Sequence, residues 1–513
     1  MSRSDPLPRE LRPIAVVVVV GAIMSILDAT IVNVALQTLR DDLHVSLATI
    51  QWVSTGYLLA LAAVIPLTGW MAERLGPRTV WMGSVAAFVL TSALCGLAWS
   101  AGSLIAFRVL QGLAGGMIMP IGMITMAQAA GPHRMGRVMA VVGVPVLLGP
   151  VFGPVIGGIL VDTLSWRWIF YVNLPIGILG LTLAWFLLPK GRAQGRAAEA
   201  GHAVPPLDGV GLLLLSPGIA AVVFGLSEVG AHGTLTTPTA WIPIVVGLCA
   251  IAAFALRALR IDHPLVDIRL LRNPGFRAAS LTVSLAGATL FGAMILLPLY
   301  YQVVRGASPL QAGLLAAPQG LGAIIGTNVG GRMTDRIGAG VVVAVGLVLL
   351  AVGTIPYAFV GGDTAYGVLL GGLFIRGVGL GAVMMPAMAG AYATLDSPAA
   401  VPRATPMLNV VQRIGGSLGV AVLAVVLQNG ITSRLGAAAA GASADGTLPD
   451  AVRQRVADPL AAAFAGAYRW SLAGVLIALV PALLLAREER RVRRRAAAVA
   501  EGVPAPTEPA VAA

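Results

Sequence analysis

Residues 69–78 read Gly69-Trp70-Met71-Ala72-Glu73-Arg74-Leu75-Gly76-Pro77-Arg78, and residues 331–338 read Gly331-Arg332-Met333-Thr334-Asp335-Arg336-Ile337-Gly338. Both fit G-x-x-x-[D/E]-R-x-G, and each lies between two long apolar runs. A second pair follows the same offset closely: Gly115-Gly116-Met117-Ile118-Met119-Pro120 against Gly381-Ala382-Val383-Met384-Met385-Pro386. The chain therefore repeats itself. A parallel repeat of apolar helices is the pattern of carriers whose substrate site lies between two halves.

The composition agrees. Of 513 residues, 57% are hydrophobic and 11% charged, with a mean hydropathy of +0.87. Soluble proteins carry about 25% charged residues, so a soluble enzyme, a secreted disulfide scaffold and a disordered chain are all excluded. The net charge of +12 is spread singly through short loops, which orients a membrane protein and does not form a nucleic-acid footprint. No nucleic-acid partner is expected.

A membrane helix needs about 20 mostly apolar residues. Fourteen stretches qualify: 13–36, 50–71, 79–99, 102–124, 136–161, 168–188, 209–228, 241–258, 279–302, 310–331, 339–360, 366–392, 404–428 and 465–486. The expected fold is an all-α integral membrane protein with fourteen helices in a 6+2+6 arrangement. An N-terminal six-helix bundle spans 13–188 and a cytoplasmic linker 189–207. Two extra helices occupy 208–260, and a C-terminal six-helix bundle spans 277–486. A long extracytoplasmic loop covers 429–464, and 487–513 form a basic, then disordered, cytoplasmic tail. Loops on the side of the termini hold most of the 34 Lys and Arg residues, which places both ends in the cytoplasm. Lys190 is the only lysine among them, a bias that fits a GC-rich bacterial genome.

Cys95 and Cys249 both sit inside apolar runs and read as packing residues. No metal spacing is present, and no metal or cofactor is expected. No Walker A sequence occurs, so ATP is not the direct energy source. Gly377-Val378-Gly379-Leu380-Gly381 matches a dinucleotide fingerprint in letters alone, with no strand before it.

These motifs together resemble the major facilitator superfamily, and within it the 14-spanner drug:proton antiporters of the EmrB/QacA type. Leu27-Asp28-Ala29-Thr30-Ile31-Val32-Asn33 is similar to that family's span-1 signature, with Gln37 where the family usually has Pro. Residues 69–78 resemble its cytoplasmic loop motif, with Glu73 for the usual Asp and Pro77 for a basic residue. Arg108-Val109-Leu110-Gln111-Gly112 resembles the span-4 motif. Gly149, Pro150, Gly153, Pro154, Gly157 and Gly158 match the antiporter motif of span 5, and Trp166 to Gly177 resembles the start of span 6. The resemblance covers about residues 13–486. It implies a major facilitator fold, alternating access and proton coupling near Asp28 and Arg108.

The residues point the same way. Asp28 is the only carboxylate well inside a span; Asp162, Asp208 and Glu228 lie at span ends. An ionisable group in the bilayer is costly and is a functional-site hypothesis by default, although a structural ion pair or a wet helix end is the plain alternative. At 1.5 Å per residue, Asp28 and Arg108 lie roughly 12 and 9 Å from the outer ends of their spans, so they can meet if the helices adjoin. Burial disfavours a charged carboxylate and an adjacent guanidinium favours it. Protonation is then expected to depend on conformation and to bias the inward–outward equilibrium.

The span-5 glycines permit close helix approach, which serves packing, a seal against proton leak, or both. Gly69, Glu73, Arg74, Gly76, Arg78, Gly331, Asp335, Arg336 and Gly338 are expected to form cytoplasmic gate loops. Glu73 or Asp335 would cap a helix, and the arginines would pair across the interface or simply set topology. The substrate-cavity candidates are Trp52, Tyr57, Met117, Met119, Phe291, Met294, Met384, Met385, Asn409 and Arg413. Large, adaptable side chains suit promiscuous binding, and ordinary packing is the alternative for each. Arg376 and Arg413 have no intramembrane acid to match. They bind carbonyls or anionic substrate groups, or they snorkel.

The function expected is a proton-driven exporter of amphipathic or cationic small molecules in the bacterial inner membrane, conferring drug resistance. Protons and membrane lipids are its partners. One chain is expected to act as a monomer, and the sequence leaves the need for a periplasmic adaptor open. A dedicated metabolite or lipid exporter, or a non-transporting membrane sensor, stands as the alternative. An enzyme is not expected, because no nucleophile–base pair lies in the spans.

Overall fold

In lipid, an apolar run satisfies its backbone polar groups only by bonding within itself as a helix or by closing a barrel. The computed structural model describes residues 11–130, 135–189, 206–395, 400–436 and 450–500, and among them there is no strand. All fourteen expected stretches are helical. In the first half these are α1 (Leu11–Asp42), α2 (Leu47–Val64) with α3 (Leu67–Leu75), α4 (Pro77–Gly96), α5 (Ala101–Ala130), α6 (Met135–Thr163), and short α7 (Trp168–Tyr171) with α8 (Asn173–Leu187). Next come α9 (Gly209–His232) and α10 (Pro238–Ala258). The second half comprises α11 (Pro274–Leu299), α12 (Pro309–Ile337), α13 (Ala339–Ala358), α14 (Tyr366–Ala393), α15 (Val401–Leu435) and α16 (Asp450–Ala500).

Among the described residues, eleven helices are long and apolar enough to cross a membrane, or twelve when α2 and α3, bent by 57°, count as one span. Helices α6 and α12, also expected to span, are not among those twelve. Polar Gln311, Gln319, Thr327 and Asn328 dilute the apolar character of α12. Large side chains such as Phe186, Leu213 and Val246 stand exposed around the helices, the lipid-facing surface that such a composition requires.

Helices α1 to α8 pack mainly on one another, as do α11 to α16. The halves meet along two seams: α6 lies on α12 and α14, while α15 lies on α3 and α5. The extra pair forms a hairpin. Gly225 seats against the Ala240 carbonyl oxygen at 2.5 Å from an ideal Cβ, and Gly247 against that of Gly218 at 2.6 Å, so the two backbones nearly touch. Helix α9 then covers α2 and α15 beside a seam, leaving α10 outermost.

Two expected segments differ. The loop placed at 429–464 is much shorter, because α15 runs to Leu435 and α16 begins at Asp450; the first turns of α16 are rich in Ala and Arg, which favour helix. For the same reason the tail is helical through Ala500, where disorder was expected from about 496. Its Glu489 is buried and accepts from the backbone N–H groups of Ala339 (3.2 Å) and Gly340 (2.9 Å), capping the start of α13. Most of the linker at 189–207, the middle of the loop and residues 501–513 lie outside the described residues.

A buried carboxylate network and a two-sided latch

Asp28 and Arg108 meet. Asp28 on α1 is 0% exposed and Arg108 on α5 is 1% exposed, and Arg108 Nη1 donates to Asp28 Oδ2 at 2.7 Å. The other carboxylate oxygen accepts from Gln111 Nε2 at 3.0 Å and from Asn173 Nδ2 at 2.8 Å. The anion thus receives three hydrogen bonds from three donors. Gln111 Oε1 also accepts from Arg108 Nη1 at 2.7 Å, so arginine, glutamine and aspartate close a ring. Asn173, the first residue of α8, extends it to Ser92 Oγ at 3.0 Å, and Ser92 donates to the Phe170 carbonyl at 2.9 Å. Burying a charge is tolerable only when it is paired and its remaining valences are filled, and here both conditions hold.

Arg108 also reaches α2. Its Nε donates to the Val53 carbonyl at 3.2 Å, and its guanidinium lies 4.0 Å from the centre of the Tyr57 ring. Gly112, one turn beyond, is glycine because a Cβ would collide with the Tyr57 carbonyl oxygen. The span-4 motif therefore binds α1 and α2 at once. Thr30 returns its hydroxyl to the Ile26 and Leu27 carbonyls. Gly153 and Gly157 bring α6 onto Thr30 and Ile31, whereas Gly158 faces open space. The side chains of Pro150 and Pro154 and the surroundings of Gly149 lie outside the described residues. Asn33, exposed, accepts from Ser54 Oγ at 3.2 Å.

The repeated loop motif has a mechanical reading. Its last glycine, Gly76 (φ 86°) or Gly338 (φ 98°), turns the chain with positive φ after α3 or α12, a conformation that penalises a Cβ. Its first glycine seats on the opposite half. A Cβ at Gly69 would collide with the Pro402 carbonyl of α15, and one at Gly331 would come within 2.6 Å of Ala140 Cβ on α6. Its acid crosses too. Glu73 Oε1 accepts from Arg403 Nε at 3.2 Å, near the start of α15. Asp335 Oδ1 accepts from the backbone N–H of Gly136 at 3.0 Å, in the first turn of α6, where a helix favours negative charge. One half's motif thus grips the N-terminal turn of the other half's helix, twice, and the molecule is closed on the side of these loops.

Two of the motif arginines stay within their own half: Arg78 donates to the Trp185 carbonyl at 2.7 Å, and Arg74 lies over Trp70. A cation that does cross is Arg403, which sequence reading passed over; a charged residue near the start of a span, with no motif around it, carries no signal. Arg336 is exposed. Asn173 was noted only as part of the span-6 resemblance, and nothing in its spacing connects it to Asp28.

Of the cavity candidates, Trp52 turns elsewhere and stacks on Phe224 of α9 at 5.7 Å. Met117, Met119 and Met294 pack against the apolar core. Met385 faces Gly143 of α6 across the seam, and Phe291 packs on Gly416. Gln412 Nε2 approaches Met384 Sδ at 3.8 Å, and Asn409 returns its amide to the Thr405 carbonyl. Arg413, on the same helix turn, is partly exposed.

The sequence model of the Major Facilitator Superfamily matches residues 18–420. The chain belongs to that superfamily. It is 40% identical to a multidrug resistance protein B homolog of Mycobacterium tuberculosis, over 96% of this chain and 93% of that protein. It is 31% identical to the multidrug export protein EmrB of Escherichia coli, over 79% and 78%. The fold is shared with a human organic anion transporter at a TM-score of 0.61 and 18% identity, covering 93% of this chain and all of that one. The protein is a multi-pass transporter of the bacterial cell membrane and acts on small molecules.

Proposed function

We propose that this protein is a proton-coupled exporter of amphipathic small molecules, conferring drug resistance by alternating access. The chain crosses the membrane fourteen times with both ends in the cytoplasm. The bundles of 13–188 and 277–486 rock against each other, and the hairpin of 208–260 flanks the seam. The motif loops are the cytoplasmic gate, so the conformation described is closed to the cytoplasm. A single copy contains both halves and the cavity between them, and it functions as a monomer. Asp28 is the proton site, and Arg108 is its partner. The observation that carries this reading is an anionic carboxylate, fully buried, whose three hydrogen bonds all come from donors. Adding a proton there removes the charge that the ring is built to hold.

The link to the gate is α2–α3. That element contributes the Val53 carbonyl and the Tyr57 ring to Arg108, and one bend later it presents Gly69 and Glu73 to α15. Weakening the ring frees α2 and loosens the latch. Names of relatives with export in them, and the exporter-type span-5 glycines, support the direction of transport.

The test is proton flux in proteoliposomes under an imposed pH gradient, with a panel of lipophilic compounds. Wild type is expected to move protons when a substrate is added, and Asp28→Asn is expected not to. Full coupling retained in Asp28→Asn would move the proton site elsewhere.

A further inference from the structure

Away from their ends, the spans hold one negative charge, Asp28, and three positive ones. Asp28 neutralises Arg108, which leaves Arg376 and Arg413. Arg376 on α14 is 2% exposed; its Nη1 donates to Gln319 Oε1 at 3.1 Å, and its Nε has no hydrogen-bond partner. Arg376 stands in the second repeat much as Arg108 does in the first, but no acid accompanies it. Arg413 is the more telling case. Among the described residues it makes no hydrogen bond and no ion pair, and the ionisable group within its electrostatic range is Tyr57 of the opposite half. Twelve residues into α15, it sits about 18 Å from that helix's cytoplasmic end, near mid-membrane and at the seam. Asn409, Gln412 and Gly416 share its face at helical spacing.

An unpaired guanidinium in that position is costly unless something neutralises it. The one acid at that depth, Asp28, is already held by Arg108, so the counter-charge comes from outside the chain. A molecule carried between the halves can supply it, and Met384, beside Gln412, and Phe291, on Gly416, offer apolar surface on the neighbouring turns. We infer that the transported molecule carries an oxyanion, a carboxylate, sulfonate or acidic phenol, held by Arg413 while its apolar part lies among these side chains. The inference rests on the exporter reading above and narrows its substrate class. Cations of the same shape are disfavoured, because among the described residues the one carboxylate at that depth, Asp28, is held by Arg108.

The test uses three probes with one apolar body: dansylglycine (anionic), dansylamide (neutral) and dansylcadaverine (cationic). Binding to purified protein in nanodiscs is read by tryptophan-to-dansyl energy transfer. A charge-assisted bond in a sheltered site corresponds to roughly 10- to 100-fold in affinity. Dansylglycine is therefore expected to bind at least about tenfold more tightly than dansylcadaverine. Arg413→Gln is expected to erase the difference and Arg413→Lys to retain most of it, with size-exclusion profiles confirming that both fold. Equal or tighter binding of dansylcadaverine, or a preference that survives Arg413→Gln, overturns the inference. Transport separates it from the reading beneath it. Export of lipophilic cations but not anions overturns only the charge assignment, whereas export of no compound of any charge overturns the exporter reading as well.

Discussion

Replacing Asp28 by Asn keeps the shape of the side chain and removes its charge, so it imitates the protonated carrier. The carboxylate takes 2.7, 3.0 and 2.8 Å hydrogen bonds from Arg108, Gln111 and Asn173. Bonds to a charged group contribute about 1.5–3 kcal/mol and neutral ones about 0.5–1.5. Asn offers one acceptor atom where the carboxylate offers two, so its NH2 group faces at least one donor. Each of the two surviving bonds loses roughly 1 kcal/mol and the third is lost outright, a weakening of about 4 kcal/mol in total. If that free energy is what holds α2–α3 against α15, the closed population falls on the order of a thousandfold relative to the open one. The assay is pulsed electron–electron spectroscopy on spin labels at Leu75 and Ile337, exposed residues at the ends of the two motif loops, with Cys95 and Cys249 replaced. Wild type should show the short distance and Asp28→Asn the long one. A distance distribution identical in the two proteins would refute the route from the ring to the latch.

Other consequences are simpler to measure. Gly69→Val drives a side chain into the Pro402 carbonyl and should cut transport at least about tenfold by blocking closure, while Gly83→Ala, with open space around it, should leave transport unchanged in the same vesicle assay. Glu73 and Arg403 are partly exposed, so a double-mutant cycle on thermal stability should find a coupling below about 1 kcal/mol; a larger value would mean that the latch is dry. Glu489→Ala leaves two N–H groups at the start of α13 without their acceptor and should cost about 1 kcal/mol, seen as a lower apparent Tm in detergent. An unchanged Tm would mean that water replaces the cap. Asn173→Ala should be more damaging than its neutral character suggests, about 2–3 kcal/mol, because it strips a donor from a buried carboxylate, and the same melting experiment checks it.

The resemblance and the spacing made much of this protein legible before any coordinates. Apolar runs of span length are helices in lipid because no alternative satisfies their backbone, so the all-helical architecture is a property of composition. The repeated G-x-x-x-[D/E]-R-x-G marks a two-part carrier because its terminal glycines, Gly76 and Gly338, answer a local demand for positive φ. Depth allowed Asp28 and Arg108 to meet, since rise per residue converts sequence position into height in the membrane, and the resemblance pointed to the same two residues. Helix ends were less legible. The additional turns of α15 and α16 are polar and carry charge, and hydropathy registers only the part of a helix that lies in lipid.

Tertiary structure alone decided which side chains face one another between helices far apart in the chain. Asn173 stands 145 positions from Asp28, and Arg403 stands 330 from Glu73, and no periodicity connects such residues. Trp52 and Arg78 show the same limit from the other direction: their positions were right for a cavity or a gate, but rotation about the helix axis turned them to α9 and to α8. Depth along a helix is written in the sequence, because each residue adds a constant rise. The direction a side chain takes around that helix depends on what packs beside it. Packing is a property of the assembled halves, and it is there that the proton ring, the crossed latch and the unpaired Arg413 come into being.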